Sequence, residues 1–235
     1  MGFAINDTGA ATAYSATSEV VSVDVTAGDL IVVGVTTADN TIGATGISDD
    51  DGNDYVTGDA HAHSVSTITL RLAYCLSAKA SGTVNITVTF DAGACRKNLL
   101  VATYTPDSGD TVSLDVSNFV EGGWEASPWE TSQVTTTGDD EVCVAFVMSG
   151  NSGTTYTNPE IPSGTAGIVI ESVQLGMEGW YRILSATMSN GIAEIDPSVT
   201  NRYLIEMFCF KATAAAAGGL SIPTMAMYYA RTRNR

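Results

Sequence analysis

The hydrophobic residues of this chain alternate with polar residues over several short stretches. Residues 19–25 place Val21, Val23 and Val25 on one side and polar residues on the other, and residues 84–90 repeat this pattern. Successive side chains of a β-strand point to opposite faces, so a period of two predicts strands with one buried face. Residues 30–35, Leu-Ile-Val-Val-Gly-Val, are apolar on both faces, which predicts a strand at the centre of a sandwich.

The stretch Ile68–Phe90 is the best-specified part of the pattern. Two alternating segments flank residues 77–82, which are rich in Ser and Gly, so the pattern predicts a hairpin. Residues 118–133 hold two tryptophans among Gly, Ser and Pro and predict a long ordered loop. Further strands are predicted at 94–105, 141–148, 167–173, 179–185 and 202–211. Short strands separated by turns, without helical periodicity, predict an all-β, antiparallel β-sandwich of jelly-roll-like type with an extended C-terminal tail.

Changes in composition predict the domain organisation. Residues 1–18 form an N-terminal edge segment or arm, residues 19–211 the β-sandwich, residues 212–219 a linker of small residues, and residues 220–235 an apolar and then basic tail. A chain of 235 residues can form one large all-β domain or two small ones. Two immunoglobulin-like halves split near Pro106 therefore stay open as an alternative.

The charge of the chain limits its partners. There are 26 acidic and 10 basic residues, a formal net charge of −16. Such a surface repels phosphates, so we expect no direct binding to nucleic acid. No run of about 18 apolar residues is present, so no membrane span is expected. The N-terminal residues lack the pattern of a signal peptide, so we expect that the chain is not exported by the common secretory route.

The four cysteines are far apart in the sequence. Cys75, Cys95, Cys143 and Cys209 form no C-x-x-C unit and lie in predicted strands. Isolated cysteines in strands are usually small buried hydrophobic residues, so the sequence predicts free thiols in a reducing compartment, with one disulfide as the alternative.

The densest acidic cluster, residues 49–54, is a candidate calcium site. Asp49, Asp51 and Asn53 have the spacing of the first ligands of an EF-hand loop, but the Gly and the final Glu of that loop are missing. The alternative is a solvated turn, because Gly52 and Asn53 are turn residues. The sequence therefore predicts no cofactor, with calcium at this turn as the alternative.

Other candidate chemistry is sparse. Asp59, His61 and His63 share one face if the chain is extended, which is a transition-metal arrangement, but the downstream Glu and His of cupins are missing. Glu194 and Asp196 resemble the start of a glycoside hydrolase motif that Pro197 interrupts. The sequence therefore predicts a protein that is not an enzyme.

The strongest candidates for binding are aromatic and basic. Trp124 and Trp129 could form a glycan platform or fill an interface. Three of the ten basic residues are arginines in the last five positions, which leaves the rest of the chain with a charge of −19. We expect such a tail to dock on an acidic surface, such as another copy of the chain; a disordered end that aids solubility is the alternative. The candidate anchoring residues of the tail are Tyr228, Tyr229, Arg231, Arg233 and Arg235.

The order of the strand and turn motifs at 25–33, 48–55, 73–90 and 205–211 resembles a recurrent β-sandwich module of phage virion proteins and bacterial surface proteins. The tail from Pro223 onward is similar to the ends of small phage structural proteins. The resemblance implies a virion structural protein, such as a capsid decoration or an accessory head or tail protein. Its partners would be the major capsid or tail protein and copies of itself, and its location would be the virion. The alternative is a carbohydrate-binding or adhesive module.

Overall fold

The computed structural model describes residues 2–39, 41, 43–93, 95–162, 164–173 and 176–214. Within these ranges there is no helix long and apolar enough to cross a membrane. Every regular element described is a β-strand. The strands of the N-terminal half are β1 (Phe3–Tyr14), β2 (Ser18–Val25), β3 (Leu30–Thr37), β4 (Ala44–Asp49), β5 (Val56–Thr57), β6 (His61–Ala62), β7 (Thr69–Cys75), β8 (Gly82–Phe90) and β9 (Arg96–Pro106). The strands of the C-terminal half are β10 (Asp110–Glu125), β11 (Trp129–Glu130), β12 (Glu141–Ser149), β13 (Tyr156–Glu160), β14 (Ile168–Val173), β15 (Met177–Leu184), β16 (Glu194–Pro197) and β17 (Asn201–Ala214).

The strands form four antiparallel sheets. Sheet A has the order β1-β9-β3-β7-β5, with β6 also paired to β7, and sheet B has the order β2-β8-β4. Sheet C has the order β10-β17-β12-β15-β14, and sheet D has the order β11-β16-β13. The all-β sandwich class predicted from the hydrophobic pattern is therefore confirmed.

The two halves of the chain have the same topology. The order of sheet A matches that of sheet C when β1, β9, β3, β7 and β5 are replaced by β10, β17, β12, β15 and β14. Sheets B and D match in the same way, through β2, β8, β4 and β11, β16, β13. In each half the chain crosses repeatedly between the larger and the smaller sheet, as in a jelly roll. The chain is therefore a tandem repeat of a jelly-roll-like sandwich, divided between Pro106 and Asp110.

Short sequence matches accompany the repeated topology. Leu-Ser-Ala follows β7 at residues 76–78 and spans the end of β15 at residues 184–186. A turn precedes the central strand of each large sheet, and an acidic residue closes it. The carboxylate of Asp29 accepts a hydrogen bond from Thr26 N–H at 2.8 Å, and that of Glu141 accepts one from Gly138 N–H at 2.6 Å. These local contacts indicate that the halves share turn chemistry as well as strand order.

The sheets stack in the order B, A, C, D and enclose three cores. Sheets B and A bury a valine-rich cluster that includes Val23, Val33 and Val84. Sheets A and C bury the largest cluster, with Leu72 and Leu100 from the first repeat and Phe146 and Phe208 from the second. Sheets C and D bury a third cluster, around Trp129, Trp180 and Ile205. The two repeats thus share the central core instead of forming separate domains.

This layering explains why β3 and β12 are apolar on both faces. All eight residues of β3 and all nine of β12 are buried, because sheets A and C each contact another sheet on both sides. The prediction that residues 30–35 form a central strand is confirmed, since β3 lies between β9 and β7. Residues 3–14 pair with β9 at the edge of sheet A.

Two predictions about local structure are wrong. The segments flanking residues 77–82 are not a hairpin, because β7 pairs in sheet A and β8 pairs in sheet B. The connection crosses between sheets, and turn residues serve a crossover as well as they serve a hairpin. Residues 118–125 are not a loop either, since they form the second half of β10, paired with β17. The register of β10 is irregular between Gly122 and Glu125.

The prediction of four free thiols is also wrong. Cys143 and Cys209 form a disulfide, whereas Cys75 and Cys95 are free and buried. Cys143 on β12 lies directly opposite Cys209 on β17 in the register of sheet C. Their sequence separation of 66 hides this proximity, because β17 pairs with β12 only in the folded chain. Strand β17 continues to Ala214, past residue 211, where the predicted sandwich ends.

Candidate functional site

The tail residues Tyr228, Tyr229, Arg231, Arg233 and Arg235 lie outside the residues that the structure describes. The described chain ends at Ala214, which pairs with Asp110 at the start of β10. The predictions about the linker beyond residue 214 and about the tail therefore stay predictions.

The candidate calcium turn is held by hydrogen bonds among its own side chains. The carboxylate of Asp49 accepts hydrogen bonds from the backbone N–H of Asn53 at 3.0 Å, from the Asn53 amide at 2.8 Å and from the Tyr55 hydroxyl at 2.8 Å. The Asn53 side-chain oxygen accepts a hydrogen bond from Lys79 N–H at 2.7 Å, and Asp51 is exposed. The Asp49 carboxylate and the Asn53 side-chain oxygen thus accept hydrogen bonds from the protein, and this geometry favours the structured turn.

The two tryptophans have different environments. Trp129 is fully buried, with its ring stacked on Tyr203 at 4.6 Å between centroids. It fills the interface between sheets C and D and cannot contribute to a glycan platform. Trp124 is 68% exposed on β10, with the guanidinium of Arg202 at 5.7 Å from its ring centroid. Of these two tryptophans, only Trp124 has an exposed ring that a ligand can contact.

The carboxylate pair suggested by the hydrolase-like motif does not have the properties of a catalytic pair. Asp196 accepts hydrogen bonds from the side chains of Ser127 and Asn158. The Ser127 hydrogen bond is the largest cause that lowers the pKa of Asp196. A general acid of a glycosidase needs a raised pKa, so this arrangement does not support hydrolysis.

The Asp59, His61 and His63 motif is divided between two environments. Strand β6 ends at Ala62, and His63 turns into the protein, where it is 2% exposed. The His63 Nε2 atom lies 2.9 Å from the carbonyl oxygen of Gly122, and Nδ1 accepts a hydrogen bond from Val65 N–H at 3.1 Å. His63 therefore has a structural role, and it does not join His61 in a metal site.

His61 instead lies in a groove between the two repeats, which we call the inter-repeat groove. It has a volume of about 440 Å³. The first repeat contributes β5, β6 and β7, and the second contributes β10 and β17. Its residues are Val56, Thr57, Gly58, Asp59, His61, Tyr74, Leu114, Ser117, Asn118, Phe119, Glu206 and Phe208. The groove thus has an aromatic and aliphatic lining with a few polar groups, which is the usual composition of a ligand site.

Sheet register places the polar groups of the inter-repeat groove. Phe119 on β10 pairs directly with Glu206 on β17, so both side chains project to the same face. The His61 ring of the first repeat stacks on Phe119 at 3.6 Å between centroids, with 7° between planes. The His61 Nε2 atom lies 3.4 Å from Glu206 Oε1. Groups from both repeats therefore meet at this point.

Glu206 is the unusual residue of the inter-repeat groove. It is only 4% exposed, and its second oxygen, Oε2, has no hydrogen-bond partner among the described residues. Desolvation raises the pKa of Glu206, while hydrogen bonding and attraction from His61 oppose that rise. The negative charge of Asp59 adds to the rise. In the sequence, Glu206 is the single Glu within the mostly apolar residues 202–211. That isolated acidic residue was a signal that the hydrophobic pattern alone did not single out.

A second buried acidic cluster lies beside the disulfide. Glu141 is fully buried, and its Oε2 atom has no hydrogen-bond partner in the described part of the chain. One ligand atom each of Glu141, Cys143 and Cys209 lie within 4.8 Å of one another. Both sulfurs are in the disulfide, so this group is not a metal site in the oxidised protein. Lys211, which pairs with Glu141 across β12 and β17, donates a hydrogen bond from Nζ to Asp115 at 2.8 Å.

Glu141 gives the fold a predictable pH dependence. Desolvation by burial is the main cause that raises the pKa of Glu141 from 4.5 to about 7. Because the folded state favours the protonated acid, this contribution to stability is present at acid pH and is lost as the pH rises through 7. We expect the free energy of unfolding to fall by about 2 kcal/mol between pH 5 and pH 8 through this group. Glu141→Gln should remove that fall and make the protein more stable than wild type at pH 8.

Urea unfolding at pH 5 and pH 8 checks this expectation. Asp115→Asn is the matched control, because the pKa of Asp115 is about 2, so its charge does not change in this range. Although burial acts to raise that pKa, hydrogen bonds from Lys211 and Thr137 lower it. The control should be less stable at both pH values and should retain most of the wild-type difference between them, reduced only because the charge and hydrogen bond of Asp115 contribute to the raised pKa of Glu141. An unchanged difference in Glu141→Gln would contradict the assignment.

Comparisons of the chain with family models, curated proteins and solved structures give no match.

Proposed function

We propose that this chain is a virion structural protein, either a capsid decoration or an accessory head or tail protein, that acts by binding other proteins. The observation that carries the proposal is the tandem of jelly-roll-like sandwiches joined through a shared core. Jelly rolls are used as building blocks in viral capsids. Two repeats with one core form a rigid body that can present fixed surfaces to a lattice.

The chemistry of the described residues supports binding more than catalysis. The inter-repeat groove offers an imidazole and a buried carboxylate, and its one serine, Ser117, is exposed and has no hydrogen bond to His61 or Glu206 among the described residues. The larger cavity, of about 520 Å³, lies beside the junction of the repeats and is lined by turn residues such as Gly28 and Gly109. Neither arrangement supplies the nucleophile, base and orienting group that covalent catalysis uses.

An exposed apolar strip supports a protein partner. Ile5 on β1 is 38% exposed, and Ile168 on β14 is 51% exposed. Ile5 pairs with Tyr104, Ile168 pairs with Tyr181, and the two tyrosine rings contact each other at 5.3 Å across the central core. The strands that carry the two isoleucines, β1 and β14, lie against each other at one margin of sheets A and C. Exposed apolar residues gathered in this way are typical of interaction surfaces.

Charge complements the apolar strip. Apart from the three arginines at its C-terminus, the chain carries a charge of −19. An acidic body and a basic tail suit head-to-tail contacts between copies, or the docking of the tail on an acidic lattice. In this proposal the partners are the major capsid or tail protein and further copies of the chain, and assembly takes place in the host cytoplasm.

Assembly measurements test the proposed function. We expect the full chain to self-associate in light scattering or to co-sediment with the capsid of the virus that encodes it. Arg231, Arg233 and Arg235 changed together to Gln should weaken this association about tenfold or more and make it less sensitive to salt. A chain ending at Gly219 should lose it. If the full chain is a compact monomer and binds no capsid, the proposal is wrong.

A carbohydrate-binding or adhesive function is the second candidate, and Trp124 is the observation that favours it. Its exposed ring, with Arg202 beside it, offers a stacking surface of the kind that sugars use, and jelly rolls also occur among lectins. Glycan binding by the full chain that is lost in Trp124→Ala would favour this candidate over the virion proposal.

A further inference from the structure

Among the residues that line the inter-repeat groove, the acidic groups outnumber the basic ones. Glu206 and Asp59 are both acidic, His61 is the only basic group among the lining residues, and neither Lys nor Arg lines the groove. A simple ion pair between His61 and Glu206 would engage Glu206 Oε1 and would leave the buried Oε2 atom without a partner. A buried carboxylate oxygen without a partner is costly, so an additional positively charged group would stabilise this arrangement.

The geometry points to a divalent transition-metal ion, of the zinc class, bound by His61 and Glu206 and completed by Asp59. Zinc bonds to imidazole nitrogen and carboxylate oxygen are about 2.0–2.2 Å long, and its coordination is usually tetrahedral. Two ligand atoms on one such ion lie roughly 3.3 Å apart, by the geometry of those bonds. The observed distance of 3.4 Å from His61 Nε2 to Glu206 Oε1 already matches this separation.

Asp59 can supply the third ligand because of its position and exposure. It precedes His61 by two residues, lines the inter-repeat groove and is exposed. Its carboxylate does not lie within 4.8 Å of both the His61 and the Glu206 ligand atoms, so this exposed side chain would rotate toward them when the ion binds. Its charge is close enough to affect Glu206 electrostatically. Two carboxylates and one neutral imidazole balance a divalent cation, and water from the open side of the groove would complete the coordination.

The surroundings favour a fixed metal ligand at position 61. The Phe119 ring supports the imidazole from one face, and Glu206 is held on the central strands of sheet C, with Phe146 as its neighbour on β12. His63, the second of the two histidines in the chain, is buried and already hydrogen-bonded. Metal binding by imidazole is therefore expected at His61 alone. Because the ligands come from both repeats, the ion would link them.

Metal titration of the full chain tests this assignment. After treatment with a chelator, the protein should bind one Zn²⁺ per chain in calorimetry. A hundredfold excess of Zn²⁺ over its dissociation constant should raise the Tm by about 5–10 °C. Mg²⁺, which prefers oxygen ligands in octahedral geometry, should give no comparable shift. His61→Gln and Glu206→Gln should each weaken Zn²⁺ binding by at least about tenfold.

Two further variants separate a built site from general attraction to an acidic surface. Asp59→Asn changes an exposed side chain, should leave the fold intact, and should still weaken Zn²⁺ binding. Glu130→Gln removes the same charge from an exposed position on sheet D and should bind Zn²⁺ as wild type does. The assignment is wrong if no saturable site with a stoichiometry of one is found, or if Asp59→Asn and Glu206→Gln bind as tightly as wild type.

Discussion

Phe146→Ala is expected to lower the free energy of unfolding by about 3–5 kcal/mol, which is the usual cost of removing a fully buried phenylalanine. Phe146 lies on β12 at the centre of sheet C and is completely buried in the core between the repeats. Glycines on both sides make room for its ring. A Cβ atom added at Gly34 of the first repeat would lie 2.6 Å from the ring, and one at Gly179 would lie 2.8 Å from it. The neighbouring backbone cannot easily close the resulting cavity.

The effect should extend to both repeats, because the lost contacts belong to their shared core. All three tryptophans lie in the second repeat, so their fluorescence reports on that repeat, whereas far-UV circular dichroism reports on the strands of both. In urea the two signals should give one coincident transition in wild type and in Phe146→Ala, with the midpoint of the variant lowered.

Trp124→Ala is the matched control for Phe146→Ala. It removes an exposed aromatic residue from the same repeat and should change the free energy of unfolding by less than about 1 kcal/mol. Separate transitions for the two signals would mean that the repeats unfold independently, which is incompatible with a core shared between them.

The strands could be predicted from the sequence because their pattern is local. Residues 18–25 alternate since one face of β2 covers sheet A and the other meets solvent. Residues 30–37 and 141–149 are apolar throughout, since they lie at the centres of sheets that are covered on both sides. Strand pairing was harder to predict, because β7 and β8 have the pattern of a hairpin and yet belong to different sheets. Alternation specifies a buried face but does not specify which strand lies alongside.

Two halves split near Pro106 were an open alternative at the level of the sequence, but the repeat in strand order was not identified there, although a short sequence match was present. Leu-Ser-Ala occurs at residues 76–78 and again at 184–186, in each case after or at the end of the strand that leads to the smaller sheet. The match is only three residues long, and small polar turn residues are common in all-β chains. The physical constraint that repeats is the topology, which many different sequences can satisfy.

The inter-repeat groove was predictable only in part. The Asp59 and His61 spacing indicated metal chemistry, but it suggested His63 as the third group. The strand alternation that would place His61 and His63 on one face does not extend to His63, because β6 ends at Ala62. Glu206 lies 145 residues after His61 and reaches it through the packing of sheet C on sheet A. Only the packing of the two repeats brings these residues together.

Reduction of the disulfide between Cys143 and Cys209 is expected to lower the Tm substantially. The two cysteines are separated by 66 residues, and closing a loop of that length stabilises the folded state by about 4 kcal/mol in the chain-entropy model. For a chain of this size, that loss corresponds to a decrease in Tm of roughly 8–16 °C. We expect this decrease in wild type after complete reduction, and a similar one in the double variant Cys143→Ser, Cys209→Ser.

Cys75 and Cys95 supply the matched control, because both are buried but not bonded to each other. The double variant Cys75→Ala, Cys95→Ala removes two sulfurs from the core between sheets A and B and should retain the sensitivity of Tm to reductant. The Cys143→Ser, Cys209→Ser variant should instead lose that sensitivity. Thiol labelling of the denatured, unreduced wild-type chain should find two free thiols. Four free thiols, together with a Tm that reductant does not change, would show that the cross-strand bond does not form in solution, and Cys143 and Cys209 would then be available as thiol neighbours of Glu141.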